Sequence, residues 1–104
     1  MNEQIKKRIE DLGWTVNSDT SIEIWTDTAG QDVCIECNNP GELKEAIISY
    51  RNGYDIDEQA EMFLEAKRNG FKGVPSVSVL VKDCEEVEEL LDKLWDAVRD
   101  LPKF

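Results

Sequence analysis

Histidine is missing from this 104-residue chain, which removes the commonest general base and the commonest metal ligand at neutral pH. Cysteine is scarce and odd in number, three in all, so the thiols cannot all pair. With no secretion signal in view, reduced thiols in the cytoplasm are expected. Long apolar runs are also missing. No segment approaches the about 18 apolar residues of a membrane helix, and the opening MNEQIKKRIEDL reads as an amphipathic helix rather than a signal peptide. None of G-x-x-x-x-G-K-[ST], G-x-G-x-x-G or G-x-S-x-G occurs, so phosphate cradles and nucleophile elbows have no support. Basic residues are the last shortage: 12 lysines and arginines face 23 carboxylates, a net charge of −11. Such a field repels nucleic acid and anionic membranes and attracts basic surfaces.

What remains is a globular composition, 40% hydrophobic and 34% charged, of a length that suits one domain. The segment Cys34-Ile35-Glu36-Cys37 has the C-x-x-C spacing. It falls in a predicted strand, where positions i and i+3 point to opposite faces, so the two sulfurs cannot grip one ion. Buried free thiols, no metal and no cofactor are expected, and no enzyme is expected either.

Hydrophobic spacing orders the chain. Ile5, Ile9 and Leu12 predict a helix over about Glu3 to Leu12, stopped by Gly13. Period-2 alternation follows at Trp14 and Val16, at Ile22 and Ile24, and at Val33, Ile35 and Cys37. Loops at Asn17-Ser18-Asp19 and Asp27 to Gln31 make these three strands an antiparallel meander. After Asn39-Pro40-Gly41 the period becomes helical, with Leu43, Ile47 and Tyr50 facing inward and Asn52-Gly53 as the stop. A third helix begins near Asp57 with Ile56, Ala60, Phe63 and Leu64 as its apolar stripe, and stops at Asn69-Gly70. From Pro75 onward one long helix is predicted, with a break near Asp83, because Asp83 and Glu86 have capping-box spacing. The VSVLV segment there is also compatible with a strand. The fold class is α+β: a helix, a three-stranded antiparallel sheet, then two or three helices packed on one face.

The stretch GYDIDEQAEMFLEA places Asp55, Asp57, Glu58, Glu61 and Glu65 together without a basic residue among them. On a helix, Asp57, Glu61 and Glu65 stack at i, i+4 and i+8, away from the apolar stripe. Helical rise spreads the five charges over about 15 Å. That is one charge per roughly 3.7 Å, against about 3.4 Å along one DNA strand. A rigid row of carboxylates can therefore imitate a row of phosphates. Acidic residues also favour helix N-termini and ordinary solvated faces. The chain-wide acidic excess favours the imitation.

The order of helix, three strands and helices in a short acidic chain resembles the small anti-CRISPR proteins of type II-A systems. The parallels are IKKRIEDLGWTV, GQDVCIEC and ELKEAIISYRNGYDIDEQAEMF, roughly the first two-thirds of the chain. That resemblance implies inhibition of the RNA-guided nuclease by occupying the site that reads the DNA flanking motif. It implies partner-binding roles for Asp32, in the second strand-to-strand loop, and for Asp57 and Glu58 at the helix start. Asp27, Glu36 and Asp55 join them as neighbouring acids on physical grounds. Gly13 stands where the family has an acidic residue, and the segment from Gly70 to Phe104, with eight carboxylates from Asp83 to Asp100, has no counterpart.

The expected function is thus that of a phage or mobile-element inhibitor acting as a DNA mimic. It would bind a basic nucleic-acid-handling protein such as that nuclease, as a monomer, without touching nucleic acid or membrane. The alternative is a non-catalytic interaction or regulatory module, docking through an apolar patch around Trp25, Trp95 and Phe104 or acidic merely for solubility.

Overall fold

The alternating stretch folds as the expected meander in a computed structural model, which describes residues 1, 3–70 and 76–101. Strands β1 (Thr15–Ser18), β2 (Ser21–Trp25) and β3 (Asp32–Glu36) pair antiparallel in sequence order. Ile22 lies opposite Val16 on one side and Ile35 on the other, while Ile24 lies opposite Val33. This register gathers the β-branched residues on one face, where Ile22, Val33 and Ile35 are buried. The first turn differs from the expected one. Asn17 and Ser18 belong to β1, which carries an irregularity between Val16 and Ser18, and the chain reverses at Asp19-Thr20. Ser18 Oγ accepts the Thr20 amide at 3.2 Å there, a hydroxyl-capped turn of the kind serine favours. β3 ends at Glu36, one residue earlier than the spacing predicts.

Helix α1 (Glu3–Asp11) buries Ile5 and Ile9, and Gly13 follows it at φ 96°, a left-handed conformation that glycine adopts without strain. A 3-10 turn at Pro40–Glu42 leads into α2 (Leu43–Gly53), which buries Leu43 and Ile47 with Tyr50 half-buried beside them. Helix α3 (Ile56–Arg68) follows, and α4 (Val77–Val98) begins after Ser76, whose Oγ accepts the Val79 amide at 3.5 Å. The expected proline in the first turn, Pro75, lies outside the described residues.

α4 runs unbroken through Asp83. Its buried residues Leu80, Cys84, Val87, Leu91, Leu94 and Val98 follow steps of three and four, and that stripe overrides the β-propensity of VSVLV. The expected break near Asp83 is absent, and Asp83 and Glu86 cap no helix end: both sit in the middle of α4. Leu91, Leu94, Val87 and Val98 enter one core with Ile5, Ile9, Trp14, Ile22, Val33, Ile35, Leu43 and Ile47.

α3 is anchored differently. None of its residues is buried, and its stripe Ile56, Ala60, Phe63 and Leu64 is only half-covered, packed against α4 rather than the sheet. Full burial of one large aliphatic side chain contributes about 1.5–3 kcal/mol, so α4 holds the fold and α3 rides on it.

Candidate acidic interaction surface

All eight carboxylates singled out by the sequence are exposed. Asp27 lies in the β2–β3 connection, Asp32 opens β3 instead of sitting in the loop, and Glu36 closes it. Asp32 and Glu36, four residues apart, share the sheet face opposite the core. Asp57, Glu58, Glu61 and Glu65 line the outer side of α3, and Asp55 is that helix's N-cap. Asp55 Oδ1 accepts the Asp57 amide at 2.9 Å, so part of its role is structural.

The two groups meet at one point. Tyr54 Oη donates to Gln31 Oε1 at 3.5 Å, and Asp55 and Asp32 are the next residues along the chain from each. Burial pushes the Tyr54 hydroxyl well above its ordinary value, so it keeps its proton and remains a donor. The strand acids and the helix acids are thereby tied to one side chain contact.

Ion pairing divides the carboxylates sharply. Among the described residues, the pairs are Met1 amine–Asp19 at 3.5 Å, Arg8–Asp100 at 3.8 Å, Arg51–Asp92 at 2.7 Å, Lys93–Glu89 at 3.0 Å and Arg99–Asp96 at 3.6 Å. None uses any of the eight candidates. Lys44 is spent on the end of α4 as well, donating to the Arg99 and Leu101 carbonyls at 2.8 and 2.6 Å. Between Arg8 and Lys44 the chain contains no lysine or arginine at all. Exposed pairs contribute at most about 1 kcal/mol each to stability. Their importance here is distribution: four of the five pairs fall on Glu89, Asp92, Asp96 and Asp100, at or just beyond the second half of α4, and none falls on the sheet or on α3, whose own cations Lys67 and Arg68 lie in its last turn.

Two carboxylates whose spacing reads as a helix cap have a different role. Asp83 and Glu86, one helical turn apart on α4, hold the β2–β3 connection. Asp83 Oδ1 accepts hydrogen bonds from the Thr26 hydroxyl and from the Ala29 amide, the latter at 2.9 Å. Glu86 Oε2 accepts the Asp27 amide at 2.6 Å, and its Oε1 accepts the Thr28 amide at 3.0 Å and the Thr28 hydroxyl at 2.6 Å. Thr26 Oγ1 in turn accepts the Gln31 amide at 2.8 Å. Three successive amides, Asp27 to Ala29, are thus aimed at carboxylates. Asp83 is fully buried, and its Oδ2 has no hydrogen-bond partner among the described residues.

Partial burial pushes the Glu86 carboxyl up, but the bonds from Thr28 and the Asp27 amide outweigh it and hold it below its ordinary value of 4.5. A depressed carboxylate contributes stability that is complete above the unfolded pKa and lost as pH falls through the folded one. The urea midpoint of the wild type should therefore exceed that of Glu86→Gln at pH 7, with the gap closing below about pH 4.5. A gap that persists or widens in acid would show that Glu86 binds the loop as a neutral group.

Cys34 and Cys37 are half-buried with separate partners: Cys34 Sγ lies 3.8 Å from Ser21 Oγ, and Cys37 Sγ lies 3.1 Å from the Asn39 carbonyl. Cys84 is buried in α4. All three are free, although only Cys84 is fully buried as expected. Burial first, then nearby carboxylates, push the Cys34 and Cys37 thiols up. Among the described residues, no group of cysteines and carboxylates has the arrangement of a metal site, and no helix is long and apolar enough to cross a membrane. No protein-family model, curated protein or solved structure matches this chain. Of the residues expected in an apolar patch, Trp25 sits on the open sheet face, Trp95 packs against the core near Lys44 and Ile48, and Phe104 lies outside the described residues.

Proposed function

We propose that this chain is a non-catalytic inhibitor that presents its bare carboxylates to a basic, nucleic-acid-handling protein as a substitute for DNA. The observation that carries the reading is the division of charge. Asp27, Asp32, Glu36, Asp55, Asp57, Glu58, Glu61 and Glu65 are exposed and outside every ion pair of the described residues, as Glu85 and Glu88 of α4 also are, whereas Glu89, Asp92, Asp96 and Asp100 are paired. A surface that served only solubility would have no reason to sort its cations so unevenly. An unpaired acidic field raises association rates with a positive cleft and repels duplex DNA from the complex.

The resemblance to type II-A anti-CRISPR proteins supplies the specific form: a phage or mobile-element protein acting in the bacterial cytoplasm as a monomer on the guide-loaded nuclease. The test is fluorescence anisotropy of a labelled target duplex bound by that nuclease, titrated with the protein at 50 mM and 200 mM salt. Displacement of the duplex, weakening by at least about tenfold at the higher salt, is expected for charge mimicry. Absence of displacement would remove this nuclease as the target, and salt-independent displacement would favour apolar docking.

A further inference from the structure

The long helix α4 is buried in two separate places. Val87, Leu91, Leu94 and Val98, on its second half, belong to the main core. Earlier on the same stripe, Leu80 and Cys84 are 4% and 0% exposed yet stand outside that core. Besides the β2–β3 connection bound to Asp83 and Glu86, two parts of the chain cover this first half. Tyr54 is one: its hydroxyl hydrogen-bonds with the Cys84 thiol, and its ring stacks on Tyr50 with centroids 6.4 Å apart. Helix α3 is the other, since it packs chiefly on α4 and starts two residues after Tyr54.

The two covers are held unequally. Tyr54 rests against the main core and is tied to Gln31. α3 has no fully buried residue, and its stripe Ile56, Ala60, Phe63 and Leu64 is half-covered. Among the described residues, no hydrogen bond or ion pair links Ile56–Arg68 to another helix or strand. A helix attached only by partial apolar contact belongs to the low-stability end of a fold, where units open locally. α4 loses none of its other anchors with that contact, because the core and the β2–β3 connection still hold it. We infer that α3 is a hinged cover, opening from α4 as a unit about Asp55 and baring Leu80 and Cys84 while the rest of the fold persists. Asp57, Glu58, Glu61 and Glu65 travel with it, so closure decides whether they form one surface with Asp32 and Glu36. That last consequence rests on the proposed function; the hinge does not.

The test is alkylation of the full chain by iodoacetamide under native conditions, with each cysteine followed by peptide mass spectrometry. Cys84 should react at least about tenfold more slowly than in the urea-unfolded chain, because α3 is closed most of the time. It should still react at least about tenfold faster than global unfolding allows, with a shallower dependence on urea. Phe63→Ala, on the α3 stripe, should speed that reaction about tenfold. Ile47→Val, in the main core, should lower the urea midpoint and leave the Cys84 rate unchanged. Hydrogen exchange should find the Phe63 and Leu64 amides open and the Cys84 and Val87 amides protected. A Cys84 rate that follows global unfolding, or that Phe63→Ala does not move, would overturn the inference. So would a Cys84 amide that exchanges as fast as those of α3, since α4 itself would then be unfolding. None of these readouts involves a partner, so loss of DNA mimicry leaves the hinge standing, and loss of the hinge leaves the mimicry to its own competition experiment.

Discussion

Replacing Asp57, Glu58 and Glu61 together by lysine should abolish partner binding and leave the fold in place. All three side chains are exposed, and none enters an ion pair among the described residues. The packing of α3 runs through Ile56, Ala60, Phe63 and Leu64, which the substitutions leave untouched. An exposed swap usually costs no more than about 0.5 kcal/mol. Lysine in the first helical turn adds about 0.3–1 kcal/mol at positions 57 and 58, against the helix dipole. Binding should suffer far more. Each close charge pair at an interface is worth about 1.5 kcal/mol or more, so three reversals predict a loss beyond about a thousandfold. Circular dichroism checks the fold and anisotropy competition checks the binding. Glu3→Lys, a single reversal in the first turn of α1, is the control that should bind normally. A folded triple variant that inhibits as well as wild type would reduce the row to solvated surface.

The second large effect concerns Asp83. Asp83→Ala removes an acceptor from the buried Thr26 hydroxyl and from the Ala29 amide. Two opposed terms follow. Losing a fully buried carboxylate whose Oδ2 has no partner among the described residues relieves a desolvation cost. Stranding its donors costs about 1–3 kcal/mol for a buried group. The donors win in the single variant, because Thr26 is itself only 4% exposed and water cannot replace the lost acceptor. A net loss of about 2 kcal/mol is expected, read as a fall in Tm of roughly 8–16 °C. Adding Thr26→Val removes the stranded hydroxyl, so the double variant should be less destabilised than the sum of the two singles. Additive losses would mean that the two side chains do not act as a unit.

Strands, turns and helices differ in how openly the chain displays them. Ile22, Ile24, Val33 and Ile35 alternate without interruption, and the sheet forms where their period requires it. Leu43, Ile47, Leu91 and Leu94 likewise announce their helices. Asp83-x-x-Glu86 was illegible for a specific reason: the same spacing serves a helix cap and a pair of acceptors one turn apart. Only the position of residues 26–29 against α4 decides between them. The α3 stripe misleads in a milder way, since periodicity shows which side faces inward and not how deeply it is covered. Among the candidate acids, exposure could be anticipated from their place opposite the apolar positions. Freedom from ion pairs could not, because it depends on where Arg8, Arg51 and Lys44 are drawn by the far end of the chain.

The two hairpins of the sheet are completed by different parts of the molecule. The turn between β1 and β2 closes with its own serine and threonine, so its bonds become available as soon as those few residues meet. In the connection between β2 and β3 the Thr26, Gly30 and Gln31 amides bond locally, but those of Asp27, Thr28 and Ala29 take their acceptors from residues 54 to 59 positions further along the chain. Closing so long a loop costs conformational entropy before any bond is gained. During synthesis the ribosome releases the first hairpin whole, while the second must wait in water for α4 to emerge. The last of the described helices to be made is therefore the one that completes the second hairpin.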